Sequence, residues 1–289
     1  MKQNLRKHDM HILNNLAMAT TVWACALGLA IAGDKPAKTV IVAVDLSSST
    51  IAHRDDYLKY FRTILDTMDG GDNLMVLKIS DRPASGESVA IGPISYKTID
   101  LTKSARKVKG QNMDDSLKAL RVFESLVATN QAAKPNEGET PIIEITRDSV
   151  RLFELYKAER KILVYLSDML ESSRVTANFE SLKPPFNQKS AEEIFKKVKR
   201  EGRIAKLDGV RIYVAGARAL NTDNNPVVAA ARSEAAKWFW TSYFTDAGAK
   251  MNESAYARDL LRFHEIECNT SSGCSNGFFA TERDKRTTK

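Results

Sequence analysis

The chain has 289 residues, of which 43% are hydrophobic and 27% charged, with a formal net charge of +7 at pH 7. That balance excludes a disordered chain or a collagen-like polymer, and no period of about 20 to 50 residues marks a solenoid. What remains is one large globular domain with attachments.

The N-terminus stands apart. "MKQNLRKHDMHILNN" is polar, with Lys2, Arg6 and Lys7 against one acid, and leads into an apolar run from Leu16 to Ala32. The run ends in Ala30-Ile31-Ala32, small at both positions that a signal peptidase reads. Residues 1 to 32 therefore read as a secretory signal peptide or, if uncleaved, as an N-terminal membrane anchor near the lower length limit for a span. Either reading places the rest outside the cytoplasm, in the periplasm or cell envelope. Without that segment the charge is +5. The cations are scattered among acids, as in "KKVKREGR" after "AEE", which describes a solvated surface.

From Lys38 onward strand and helix patterns alternate. "TVIVAVDL" is a β-branched apolar run, read as a strand buried on both faces. "IAHRDDYLKYFRTILDTMDGG" spaces Leu58, Phe61, Leu65 and Met68 as an amphipathic helix that Gly70-Gly71 ends. "NLMVLKIS" is a second strand, and "SVAIGPISYKTI" an antiparallel third whose Pro93 marks an edge. "MDDSLKALRVFESLVATN" and "TRDSVRLFELYKAE" follow as helices, then the strand "KILVYLSD". "SAEEIFKKVKREG" is a helix that Ser190 is expected to cap. "VRIYVAGA" is the next strand, and "PVVAAARSEAAKWFWTSYFTDAGA" a long helix whose aromatic stripe reads as core. The pattern predicts an α/β fold, a doubly wound and mainly parallel sheet with one antiparallel edge strand and helices on both faces. The domain runs from 38 to 250. Residues 251 to 289 read as an appendage, with Cys268 and Cys274 in "CNTSSGC" spaced to close a small disulfide loop in an oxidising compartment.

In such sheets ligands collect at the carboxyl ends of strands. Asp45 follows "VIVAV", Asp168 follows "KILVYLS", and Thr140 in "NEGETPI" precedes a helix. With Ser47 and Ser49, which alternate with Asp45, they form an all-oxygen set from three loops. Hard oxygens with two carboxylates suit Mg²⁺, or Mn²⁺ or Ca²⁺, rather than zinc or copper. The competing reading is that each is a helix cap or turn residue.

These residues also resemble a known family. "DLSSS" (Asp45, Ser47, Ser49) is similar to the D-x-S-x-S signature of von Willebrand factor A domains, at the expected place after the first strand. Thr140 matches the threonine of that family's second metal loop. Asp168 matches the aspartate of its third, usually followed by Gly, where Met169 stands here. The resemblance covers roughly residues 38 to 250. It implies a metal-ion-dependent adhesion site, with the Ser47, Ser49 and Thr140 hydroxyls binding the ion directly and Asp45 and Asp168 binding it largely through water. An open position would take an acidic side chain of a protein partner. Glu139 and Glu171 lie beside the loops as potential blockers or internal ligands.

The resemblance thus implies a non-catalytic binding module. The alternatives are a hydrolase or other enzyme using the Asp/Ser cluster, and a structural domain of this type with a vestigial site. An enzyme is disfavoured because a serine nucleophile needs a base in reach, and of His8, His11, His53 and His264 none lies in a recognisable motif. No basic stripe interleaved with aromatics points to nucleic acid, and a membrane is met only through the N-terminal segment.

Overall fold

The computed structural model describes residues 36–79, 88–99, 104–129, 139–173, 179, 186–217, 226–252 and 255–268. The expected signal or anchor at 1–32, and Cys274 with the basic C-terminal end, lie outside the described residues.

Six strands form one sheet: β1 Lys38–Asp45, β2 Asn73–Ile79, β3 Val89–Ser95, β4 Arg160–Leu166, β5 Arg211–Ala215 and β6 Tyr256–Ala257, in the spatial order β3-β2-β1-β4-β5-β6. All pairings are parallel except β2 with β3, so the α/β architecture read from the sequence is the one observed. β1 lies at the centre, buried at all eight positions, which is why its sequence is a continuous β-branched run rather than an alternating one. β3 closes the edge, where Pro93 costs no ladder bond to a neighbour.

Alternate residues of the central strands feed two cores. Val40, Val42 and Val44 pack with Tyr57, Phe61 and Ile64 of α1 (Arg54–Asp66), with Phe123 of α2 (Ala105–Thr129) and with Phe263 of α6 (Phe263–Glu267). Ile41 and Ala43 face α3 (Ile142–Leu155), α4 (Gln188–Arg200) and α5 (Pro226–Asp246). Phe239, Trp240, Tyr243 and Phe244 of α5 are all buried here, so the aromatic stripe is core.

Three local expectations shift. α2 begins at Ala105 rather than Met113, because Val108 and Asn112 are already buried. Asn112 clasps the end of the edge hairpin, accepting from Lys97 N at 2.8 Å and donating to Lys97 O at 2.9 Å. The cap of α4 is Asn187, not Ser190. Asn187 Oδ1 accepts from Ser190 N at 3.2 Å, while Ser190 Oγ accepts from Asn187 N at 2.9 Å, a reciprocal box that starts the helix earlier. Finally, residues just past 250 belong to the sheet: β6 pairs with β5, and α6 returns to the opposite edge.

That opposite, amino edge carries buried ions. Lys38 Nζ lies 2.6 Å from Asp72 Oδ2, both side chains fully buried. Glu267 of α6, also buried, takes Arg160 Nη2 at 2.5 Å, Arg211 Nη1, and the Tyr213 hydroxyl at 2.7 Å. Burial alone would raise the Glu267 carboxyl, but the hydrogen bonds from Tyr213 and Arg211 and the charges of Arg211 and Arg160 bring it below its ordinary value.

Candidate metal centre

The strand order reverses between β1 and β4, and the crevice at their carboxyl ends is where an open sheet offers a ligand site. Asp45 ends β1 there, and Ser167 and Asp168 follow β4. All three are buried.

The loop after β1 accounts for its run of oxygens. Asp45 Oδ1 accepts from Ser47 N at 2.9 Å, which turns the chain sharply out of the sheet. Thr50 folds back, its hydroxyl donating to Asp45 O at 2.9 Å and Ser47 O at 3.0 Å. Thr50 is thus the clasp of the 3-10 turn Ser48–His53 and is fully buried. Ser47 and Ser49 remain half-buried at the rim, their hydroxyl oxygens 3.0 Å apart. The two hydroxyls meet because Ser47 stands at the N-cap of the 3-10 turn that contains Ser49, and not through the alternation of an extended segment.

The loop after β4 is built on Ser167. Its hydroxyl donates to Asp45 Oδ2 at 2.8 Å and accepts from Met169 N at 2.9 Å. Asp168 Oδ1 accepts from Leu170 N at 3.0 Å. Met169 adopts φ 63°, a left-handed conformation that glycine takes without cost. Its side chain is buried in the core beneath α5 rather than lodged at the rim, and its carbonyl accepts from Trp240 Nε1 at 2.7 Å. The bulky residue therefore does not narrow the crevice.

Thr140 enters through its backbone. It pairs in an antiparallel bridge with Ser172, N to O at 2.7 Å and O from N at 3.1 Å, which fastens its loop to the one carrying Asp168. Glu171 joins the same seam: Oε2 accepts from Ile143 N at 3.1 Å, at the start of α3. That oxygen meets the helix end, while Oε1 is buried without a hydrogen-bond partner among the described residues. Among the described residues, Thr140 is held by this seam and not by a hydrogen bond of its hydroxyl to the serine pair.

Electrostatically, burial dominates the carboxyls of the site. Burial raises the Asp45 carboxyl, against hydrogen bonds from Ser47 and Ser167 and the nearby charge of Arg54. Burial, then the Glu144 charge, push Glu171 well above the carboxylate range. Arg54 went unnoticed in the sequence. It is 1% exposed, and its Nη2 donates to Leu46 O at 2.7 Å and Ser47 O at 3.2 Å, with Nη1 reaching Val127 O at 3.4 Å. A cation in the first turn of a helix opposes the helix dipole, and that mismatch was the available signal.

Of the five residues, the serine pair has a spacing that suits a hard divalent ion. Mg²⁺ holds oxygens octahedrally at about 2.0–2.1 Å, so two neighbouring ligands stand about 2.9 Å apart. Ser47 Oγ and Ser49 Oγ, hydrogen-bonded to each other at 3.0 Å, stand at a similar separation. Among the described residues no group of three or more His, Cys, Asp or Glu could hold a metal. The set here has only two such residues, Asp45 and Asp168, and its remaining donors are hydroxyls, chemistry that favours Mg²⁺, Mn²⁺ or Ca²⁺ over zinc.

No protein-family model matches the chain, and no curated protein matches it. Among solved structures it is similar to the conserved hypothetical protein BatB from Bacteroides thetaiotaomicron, at 13% identity and TM-score 0.33, over 87% of this chain and 99% of that one. It is also similar to three N-terminal domains of the type V pili tip protein Mfa5 from Porphyromonas gingivalis, at 11% identity and TM-score 0.31, over 60% of this chain and 28% of that one. A third is the pilus adhesin SpaC from Lactobacillus rhamnosus GG in its open conformation, at 12% identity and TM-score 0.32, over 73% of this chain and 30% of that one. At such identities and TM-scores these likenesses carry no inference about function. Among the described residues no helix is long and apolar enough to cross a membrane.

Proposed function

We propose that the chain is a non-catalytic protein-binding module of the cell envelope, which holds an acidic group of a partner through a divalent ion. The observation that carries this reading is the Ser47–Ser49 oxygen pair at 3.0 Å, set at the strand-order reversal over the buried Asp45 carboxylate. When bound, the ion would supply a Lewis-acidic position for a partner carboxylate. Ser47, Ser49 and Thr140 would hold it directly, and Asp45 and Asp168 would balance its charge. Asp45 shapes the loop by accepting from Ser47 N, so its role is to place the hydroxyls as much as to meet the ion. Residues 1 to 32 would direct export or anchor the chain, and Cys268 with Cys274 would form a disulfide once outside.

A second reading is a structural domain with a vestigial site. It is favoured by Asp45, both of whose carboxylate oxygens already accept hydrogen bonds, from Ser47 N and Ser167 Oγ.

Thermal melting of the purified chain separates the two. A bound ion stabilises only the folded state, by about 2.7 kcal/mol at a hundredfold excess over Kd. Millimolar Mg²⁺ or Mn²⁺ should raise Tm, and Ser47→Ala should remove the shift while leaving the metal-free Tm nearly unchanged. A melting curve indifferent to both ions sinks the binding reading. Capture of a partner from envelope extracts should likewise be reversed by chelator.

A further inference from the structure

Arg54 is difficult to explain as packing. The residue is 1% exposed, yet its hydrogen bonds run to the carbonyl oxygens of Leu46, Ser47 and Val127, and its Nε is buried with no acceptor. A neutral donor would serve two loop carbonyls at a lower desolvation cost than a buried cation. Arginine does not shed its charge in a protein, so the chain holds a fixed positive charge against the backbone of the residue whose hydroxyl helps form the candidate ion site. It grips Ser47 by the carbonyl while Ser47 Oγ faces Ser49.

We infer that Arg54 is a positioning residue whose fixed charge makes ion uptake at the serine pair depend on an anionic ligand arriving with it, an inference that rests on the metal-dependent reading above. The charge count carries the argument. Asp45 and Asp168 alone would neutralise a divalent ion, and the loaded site would have no electrostatic need of a further anion. With Arg54 present, one carboxylate is already offset, and the loaded site is positive by one. In a crevice partly withdrawn from water that surplus opposes the ion and attracts a carboxylate. The same residue therefore weakens the bare ion and strengthens the ternary complex of protein, ion and acid. By linkage, each of the two ligands then raises the affinity for the other.

The experiment is a Mn²⁺ titration of the purified full chain, reading free Mn²⁺ by electron paramagnetic resonance, in chloride and with acetate as the carboxylate probe. Acetate should tighten Mn²⁺ binding to the wild type. Arg54→Gln, which keeps a donor and loses the charge, should bind Mn²⁺ about tenfold tighter without acetate and gain less from it. Arg54→Lys keeps the charge and should behave as the wild type. Arg54→Gln binding no tighter than wild type, or gaining as much from acetate, overturns the inference. Should Arg54→Gln not fold, the wild type decides alone, since Mn²⁺ affinity indifferent to acetate overturns it. The two levels separate cleanly. One Mn²⁺ bound by the wild type and lost in Ser47→Ala, but blind to acetate, sinks only the role of Arg54. No Mn²⁺ uptake by any of these proteins, with or without acetate, sinks the ion site and this inference together.

Discussion

Ser167 donates its hydroxyl to Oδ2 of Asp45 at 2.8 Å, and this bond ties the loop after β4 to the end of β1. Ser167 Oγ in turn accepts from Met169 N, so one buried serine sets both the carboxylate and the first residue beyond Asp168. Ser167→Ala should cost about 1–3 kcal/mol, because it leaves a buried carboxylate oxygen and a buried amide short of a partner. The check is denaturant unfolding beside Ser47→Ala, which lies at the half-exposed rim and should cost far less. Equal losses would mean that Ser167 does not organise the crevice.

Met169 presents two opposed effects. Its left-handed φ of 63° costs roughly 1–2 kcal/mol that glycine would recover. Its side chain is fully buried, and removing such a side chain costs about 2–5 kcal/mol. Burial should win, so Met169→Gly is expected to destabilise by about 1–3 kcal/mol even though glycine suits the backbone. A Gly variant more stable than wild type in urea unfolding would show that backbone strain dominates.

Glu171 gives a pH signature. Burial and the Glu144 charge hold its carboxyl well above the ordinary value of 4.5, so the folded chain keeps a proton that the unfolded chain has released. The stability it contributes is full below the unfolded value and falls as pH rises from there toward the folded value. Glu171→Gln keeps an acceptor for Ile143 N and removes the titration. The variant should gain on wild type as pH rises from about 4 to 7, measured by unfolding at each pH. Parallel pH profiles for the two proteins would contradict this.

Glu267 should behave in the opposite sense. Its carboxyl is held below the ordinary value by Tyr213, Arg211 and Arg160, so its contribution is present above the unfolded value and is lost as pH falls through the folded one. Glu267→Gln leaves Arg160 facing a neutral amide in a buried place and should cost about 3 kcal/mol at pH 7. The difference from wild type should shrink on acidification. A gap that stays constant down to pH 3 would assign the loss to packing.

What the sequence made legible, and what it hid, follows from the range of each interaction. Asp45 and the serines stand in one short segment after an unmistakable buried strand, so their place at the carboxyl edge could be read directly. Arg54 could not be tied to them, because an arginine opening an amphipathic helix looks solvated until the fold turns it inward. Ser167 was overshadowed by its neighbour Asp168, since nothing local tells a bridging serine from a turn serine. β6 has only two residues, too few for any periodicity, and so the boundary at 250 left a strand outside it. Glu267 finds its partners 107 and 56 residues away, which no local pattern reports.

The clip around Glu267 also sets how the molecule would carry a mechanical load. The crevice opens at one pole of the sheet, and the chain leaves its described part at Cys268, next to the Arg160–Glu267–Arg211 cluster at the other. Were the molecule pulled between a partner at the crevice and Cys268, the tension would run along the strands. β1 and β4, joined over seven residue pairs, would be loaded in shear, the direction in which their hydrogen bonds fail together. β6 is joined to β5 by two pairs only and would peel. The salt-bridged glutamate would take the strain before that short strand does, and so would act as the strain relief on the cable.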